Sequence, residues 1–258
     1  MRFTVGECLG QGTFGAVWRA VDDTGREVAV KRVPKFTNQS GREMLLAFTA
    51  RRCAQCVRLL DYFLTRGPAS ILIQNFVFEF IRTPLSALIR RHRRESSALS
   101  VSLVWDITRD VTKALAFLHS SNVVHRDVKP ANILVCEAGP VAAKLCDFGA
   151  AKVMTDQTGP AALNSVYIVT RLYRAPEVLL GAVSYGCAVD VWSLACVIGE
   201  MLLLWPLICG EHPQGSGDPG AAEPYQLLAI LDILGAPSKE EVVALEAVGA
   251  HIPQEVLS

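Results

Sequence analysis

The sequence has no surplus of charge. Its 258 residues carry 25 Lys and Arg against 25 Asp and Glu, so no global field draws it to nucleic acid or to an anionic membrane, and any basic site must be local. It also lacks an apolar run long enough to cross a bilayer. The greasiest stretch, 191–208, is interrupted by Glu200 and Pro206, whereas a spanning helix needs about 20 predominantly apolar residues; a buried helix is expected there instead. Residues 1–10 contain Arg2, Glu7 and no apolar stretch of leader length, which leads to the expectation of an intracellular protein of the cytoplasm or nucleus. The chain is too large to need disulfide staples, so its eight scattered cysteines are expected to be free thiols in a reducing compartment. Cys53 and Cys56 form a C-x-x-C pair, but no second such pair or nearby His pair completes four zinc ligands. They read as half-buried small hydrophobes, with zinc or redox chemistry the minor alternative. No internal repeat is found. With 51% hydrophobic and 19% charged residues, disorder over most of the length is excluded, and the size fits one large domain or two small lobes.

Hydrophobic periodicity changes partway along the chain. Up to about residue 80, short β-rich runs alternate with turn signals at 4–9, 16–21, 27–33, 57–64 and 71–80, which predicts a small antiparallel sheet. Residues 41–53 break that pattern, with Met44, Leu45, Leu46 and Phe48 among basic residues, and read as a lone helix. From Pro84 the period lengthens toward 3.6, predicting helices at 85–94, 100–120, 188–204 and 225–234. The expected architecture is α+β, a sheet-rich lobe over 1–80 followed by a helical lobe over 81–258. Residues 138–174 have little periodicity apart from 143–146, and a loop of that length in a compact domain is usually functional. Residues 210–223, rich in Gly, Pro and Ser, read as a mobile insertion between helices.

Several motifs carry chemistry. Leu9, Gly10, Gly12, Gly15 and Val17 belong to a G-x-G-x-x-G-x-V stretch lying between two predicted strands. A dinucleotide-binding fingerprint would open a helix after the last glycine; strand–turn–strand points instead to a flap over phosphates, or, if the motif stood alone, to an ordinary hairpin. Ala29 and Lys31 follow in Val28-Ala29-Val30-Lys31, and Glu43 sits on the lone helix. A lysine in an apolar strand is costly unless its ammonium is partnered; phosphate oxygens and the Glu43 carboxylate would serve, and a solvated edge lysine is the bland alternative. Farther on stand His125-Arg126-Asp127-Val128-Lys129-Pro130-Ala131-Asn132, the apolar run Ile133-Leu134-Val135, and Asp147-Phe148-Gly149. Five elements in one order, each in the expected structural context, leave little room for chance.

With these residues the chain resembles eukaryotic protein kinases over residues 3 to about 240, which implies a bilobal kinase fold using ATP and Mg2+. By this resemblance Leu9, Gly10, Gly12, Gly15, Val17, Ala29 and Leu134 enclose the nucleotide. Lys31 holds the α- and β-phosphates and pairs with Glu43, Asp127 orients the substrate hydroxyl and accepts its proton, and Asn132 and Asp147 bind magnesium. Lys129 in the catalytic loop and Thr170 in the substrate-facing segment imply serine/threonine specificity, with Lys129 steadying the γ-phosphate. The stretch 167–181 is similar to the group of cyclin-dependent, mitogen-activated and glycogen synthase kinases, as is Leu234-Gly235-Ala236-Pro237-Ser238. Val77-Phe78-Glu79-Phe80-Ile81 resembles the cyclin-dependent kinase hinge, with Phe78 as gatekeeper and the backbones of Glu79 and Ile81 meeting adenine. Asp190-Val191-Trp192-Ser193 matches the buried helix whose Asp props the catalytic loop.

The resemblance implies protein substrates with proline after the acceptor, and it admits an activating subunit such as a cyclin; nucleic acid and membrane are not expected partners. It also predicts a phosphate-binding cluster of Arg42, Arg126 and Lys152, with Ser165 and Tyr167 as candidate phosphorylation sites. Two features depart from the pattern. Kinases of this group continue through further helices that supply an Arg for Glu177, so the helical lobe is expected to be incomplete at its C-terminus. Ala47 also stands where the group usually places a larger apolar residue above Phe148. Together they keep open an alternative, a nucleotide-binding scaffold or pseudokinase, against which Lys31, Glu43, Asp127, Asn132 and Asp147 are all present.

Overall fold

In the computed structural model, residues 3–12, 15–34, 40–136, 138–139, 142–154, 171–182, 184–209 and 223–252 are described, apart from the side chains of 40–43, 45, 69, 223 and 224. The early alternation becomes one antiparallel sheet of β1 (Phe3–Gly12), β2 (Gly15–Asp22), β3 (Glu27–Pro34), β4 (Leu59–Arg66) and β5 (Leu72–Glu79), in the order β1-β2-β3-β5-β4. Because side chains alternate across a strand, the registers Ala20↔Val28 and Val30↔Val77 put these four on one face, where they form a small core. The registers Val17↔Lys31, Lys31↔Phe76 and Ala29↔Phe78 put the nucleotide-motif residues on the other. Helix α1 (Ser40–Ala50) covers part of that second face, with Ala47 buried against Leu59 and Phe76. The expected helix at 41–53 thus starts one residue earlier and stops at Ala50, where a turn takes over.

Past the sheet, the short β6 (Thr83–Pro84) leads into α2 (Leu85–Arg94) and α3 (Val101–Ser120). Ser100 caps α3 by accepting from Leu103 N at 3.2 Å. The buried stripe of α3 runs through Val104, Ile107, Val111, Ala114, Leu115 and Leu118, the 3.6-residue period of a core-facing helix. It packs on α5 (Ala188–Leu203), which buries Val189, Leu194, Cys196, Val197 and Met201. Between them come β7 (Val123–Val124), β8 (Ile133–Val135), β9 (Ala143–Leu145), β10 (Lys152–Val153) and the four-residue α4 (Pro176–Leu179). β6, β8 and β9 form a small sheet and β7 pairs with β10. Asp110, buried in the α3 stripe, accepts from Ala142 N at 2.7 Å and so ties this helix to the β8–β9 turn.

α6 (Glu223–Leu234) and α7 (Lys239–Ala247) are the last helices among the described residues; α7 is started by a capping box between Ser238 and Glu241. Among the described residues no helix is long and apolar enough to cross a membrane. The predicted insertion at 210–223 lies outside the described residues except for Glu223.

Candidate functional site

The catalytic-loop motif is built around one fully buried carboxylate. Asp190, in the first turn of α5, accepts from the backbone N–H groups of His125 and Arg126 and from His119 Nε2, each at 2.8 Å. Two successive N–H groups thus converge on one side chain, with Arg126 at φ 66, a left-handed conformation uncommon outside glycine. His125 donates from Nε2 to Cys146 O at 3.0 Å and accepts at Nδ1 from Asp127 N at 3.3 Å, so its partners fix the tautomer and link the loop to the strand before Asp147. Arg126 Nε donates to Ala150 O at 2.7 Å. The result is delivered at Asp127. Its Oδ2 accepts from Lys129 Nζ at 2.7 Å and from Asn132 Nδ2 at 2.8 Å, and Asn132 Nδ2 also reaches Asp127 O at 2.8 Å.

From the sheet above, Lys31 Nζ lies 2.7 Å from Asp147 Oδ1. Burial alone would raise the Asp147 carboxyl pKa, but the Lys31 ammonium and the Gly149 N–H more than offset it and hold the group below its usual value. Asp147 also sits at φ 64, the left-handed turn that starts the Phe148–Ala150 3-10 segment, and Phe148 packs edge-on to His125 at 5.7 Å. The lysine in an apolar strand therefore has its partner, and that partner comes from the other side of the cleft.

A cavity of about 780 Å³ lies between the two groups. Leu9, Gly10, Gly12, Gly15, Val17 and Ala29 line it from the sheet, Phe78, Glu79 and Ile81 from the hinge, and Leu134 from β8; Lys31, Asp127, Lys129, Asn132 and Asp147 line it as well. Glu79 N is committed to Arg58 O at 3.0 Å. Its carboxylate accepts from Arg58 N at 2.8 Å and from Lys144 Nζ at 2.6 Å. A ligand at Glu79 would therefore use the carbonyl rather than the N–H or the side chain. Val57, Arg82, Ser86, Arg90 and Cys146 also line the cavity and were missed from the sequence. Cys146 could have been found from its place beside Asp147. Val57 could not, because it arrives through a bridge between the turn at 53–56 and Leu145, far along the chain.

Some expected residues fall outside this description. The side chains of Arg42 and Glu43, and residues 155–170 with Ser165, Tyr167 and Thr170, lie outside the described residues, so the Lys31–Glu43 pair and the Arg42 arm of the phosphate cluster cannot be placed. Of that cluster, Arg126 is buried and Lys152 half-buried on the paired strands β7 and β10 and the loop beside them. Glu177 is partly buried, which raises its carboxyl pKa, and among the described residues no cation forms an ion pair with it. Among the described residues no cluster of three or more His, Cys, Asp or Glu could hold a metal ion. The site instead offers two hard oxygen donors, the Asp147 carboxylate and the Asn132 carboxamide, which suits a small cation that keeps waters and phosphate oxygens in its shell.

Comparison with known proteins agrees with this geometry. The family described as "Protein kinase domain" matches residues 3–242. The chain is 37% identical to a protein named glycogen synthase kinase 3 from Trypanosoma brucei brucei, over 97% of this chain and 69% of that one. It is 34% identical to a probable serine/threonine-protein kinase, glkA, from Dictyostelium discoideum, over 92% of this chain and 46% of that one. Mitogen-activated protein kinase 15 of Rattus norvegicus is 37% identical, over 95% and 43%. The chain thus spans about half the length of two of these relatives. With an antiparallel-sheet lobe, a helical lobe and the motif residues gathered on one cavity between them, the chain belongs to the protein kinase family.

Proposed function

We propose that this chain transfers the γ-phosphate of ATP to serine or threonine of protein substrates, with proline favoured directly after the acceptor. The observation that carries the reading is the convergence on one cavity of the Lys31–Asp147 pair and the Asp127–Lys129–Asn132 cluster. Phosphoryl transfer needs little covalent help from a protein; positioning and charge neutralisation supply most of the rate. Asp127 is placed to orient the acceptor hydroxyl and take its proton, while the Lys129 ammonium on the same carboxylate can turn to the transferring phosphoryl oxygens. Lys31 would hold the phosphates of the nucleotide, and Asp147 with Asn132 would hold Mg2+, which supplies neutralisation of phosphate charge when bound. Val17 and Ala29 above and Leu134 below give the aliphatic walls that a flat purine fits.

The relatives named glycogen synthase kinase 3 and mitogen-activated protein kinase 15 support the serine/threonine and signalling reading. By the same reading an activating subunit such as a cyclin is the regulatory partner to test, and the protein works in the cytoplasm or nucleus. Nothing in the site favours the scaffold alternative, since the described catalytic groups are present and paired. Asp127→Asn tests the assignment. Turnover should fall by roughly 10²- to 10⁴-fold while Mg-ATP affinity stays within about twofold, because the carboxylate acts on the hydroxyl and not on the nucleotide. Retained turnover in that variant would overturn the mechanism. A peptide library that shows strong demand for basic residues before the acceptor and indifference to proline would overturn the specificity.

A further inference from the structure

The turn joining α1 to β4 carries Cys53-Ala54-Gln55-Cys56, which the nucleotide site does not use. Cys56 N donates to Cys53 O at 3.2 Å, an i to i+3 turn bond that keeps the two Cα atoms within about 7 Å, close to the range a disulfide spans. Both thiols are free, and they are buried to 8% and 0% exposure. Yet both line a second cavity, of about 820 Å³, on the far side of the hinge, together with Arg51, Arg52, Arg58 and Lys144. The two sulfurs are chemically unequal. The Cys53 thiol, which donates to Gln55 Oε1 at 3.6 Å, has its pKa lowered to about 6, chiefly by the neighbouring Cys56 thiol, against the opposing effect of burial and with help from the Lys144 ammonium. The Cys53 thiol and its own deeper burial push Cys56 far up. The two thiols thus differ in acidity, Cys53 being the readier nucleophile and Cys56 the thiol placed to follow it, the division of labour of an attacking and a resolving cysteine.

We propose that Cys53 and Cys56 form a peroxide-sensitive dithiol, a modification site whose closure weakens nucleotide binding on the other side of the hinge. The Cys53 thiolate attacks one oxygen of hydrogen peroxide; the O–O bond breaks, hydroxide leaves and is protonated to water, and Cys53 becomes a sulfenic acid. The Cys56 sulfur then attacks the Cys53 sulfur, the S–S bond forms, the S–O bond breaks, and the hydroxyl leaves as water with the Cys56 proton. Two thiols lose two electrons and two protons, and one peroxide becomes two waters.

The link to the front cavity is a backbone clamp. Leu145 N donates to Gln55 O at 2.8 Å and Val57 N donates to Leu145 O at 2.9 Å. Asp147 follows two residues after Leu145, and Val57 lines the nucleotide cavity. A bond of about 2.05 Å between the sulfurs would lock the turn that holds this clamp. This second half of the proposal rests on nucleotide binding at the front cavity; the thiol chemistry does not.

The test uses the full chain. Trypsin, cutting after Arg52 and Arg58, releases 53–58 as one peptide with both thiols. After peroxide, this peptide should have lost two hydrogens and should escape alkylation. Cys56→Ser should stop at a dimedone-reactive Cys53, and Cys53→Ser should give neither product. Affinity for a fluorescent ATP analogue should fall at least about fivefold in the oxidised protein, return with dithiothreitol, and be insensitive to peroxide in Cys53→Ser. If 53–58 keeps two alkylatable thiols at peroxide levels that oxidise the exposed Cys8 and Cys209, there is no such dithiol. A disulfide with unchanged affinity, or an equal loss in Cys53→Ser, overturns the coupling. Reduced protein that binds no nucleotide overturns the proposed function and the coupling with it, while the peptide mass still decides the dithiol.

Discussion

Below the cleft, the catalytic loop is held from behind by Asp190, a carboxylate with no exposed surface and three N–H donors, so its shape is set before any nucleotide arrives. Above the cleft the situation is reversed. β1 is exposed along nearly its whole length, and the Lys31 ammonium reaches Asp147 across the gap. The difference follows the chemistry. An acceptor hydroxyl and its base gain most from being fixed within a fraction of an ångström, whereas a flap over a nucleotide must let it in and out. A buried anchor suits the first task, and a pair across the cleft suits the second.

Removing the anchor should have the largest effect. Asp190→Ala leaves the N–H groups of His125 and Arg126 buried without acceptors, at about 1–3 kcal/mol each. A loss near 3 kcal/mol would lower the melting temperature of a chain this size by about 9 °C, and turnover should fall with it because Asp127 loses its support. Asp190→Asn retains one acceptor oxygen and should lie between the two. Calorimetry that finds Asp190→Ala as stable as the parent would break the comparison at its lower wall. Lys31→Met attacks the upper wall. Turnover should drop roughly 10²- to 10³-fold, and melting should change less than for Asp190→Ala. With the ammonium gone, only the weaker effects of the Gly149 N–H and His125 oppose burial at Asp147, so its pKa should rise. Carbonyl-region infrared or NMR titration of that carboxyl, comparing parent and Lys31→Met, would show the direction.

How much of this was legible in the sequence depends on length and on sequence separation. The five long strands announce themselves as β-rich runs between turn signals, and the helices at Leu85–Arg94 and Val101–Ser120 because each holds a 3.6-residue period over at least two turns. β6, β7 and β10 have two residues each and α4 has four, too few to show any period. α7 buries none of its residues, so it carries no apolar stripe to read, although Ser238 and Glu241 spell its capping box. At the site, Asp127, Asn132 and Asp147 were legible as motifs, and Asp190 as the motif's prop. The His119 contact to Asp190, 71 residues away in sequence, and the Lys144 contact to Glu79, 65 away, were not, because only the folded core brings those pairs together. The cysteine pair differs in degree from its sequence reading: both thiols are buried rather than half-buried, Cys56 completely, and they line a cavity.

The flap glycines divide the upper wall more finely. Gly15 sits at φ +119, and a Cβ there would collide with the Arg32 carbonyl oxygen on β3. Its glycine is required by the backbone itself. Gly15→Ala should therefore cost about 1–3 kcal/mol, seen as a lower denaturant midpoint, and should do so with or without nucleotide. An unchanged midpoint would mean that the β1–β2 hairpin can relax around the new methyl group.

Gly12 is the counter-case, and the smallest effect expected. It lines the cavity, its backbone is not left-handed, and among the described residues nothing lies within 4 Å of where its Cβ would be. The fold gives no reason for glycine at this position, so Gly12→Ala should leave stability unchanged or raise it by a few tenths to about 1 kcal/mol, through the reduced freedom of the unfolded chain. The added methyl group would instead occupy space that a phosphate needs to approach the backbone. KM for ATP should rise about threefold to tenfold, an energy near 1 kcal/mol, with kcat changed less. Measured side by side, Gly15→Ala should move the melt and Gly12→Ala the KM. A lowered melt in Gly12→Ala would make this glycine structural after all, and an unchanged KM would mean the flap never closes onto the phosphates.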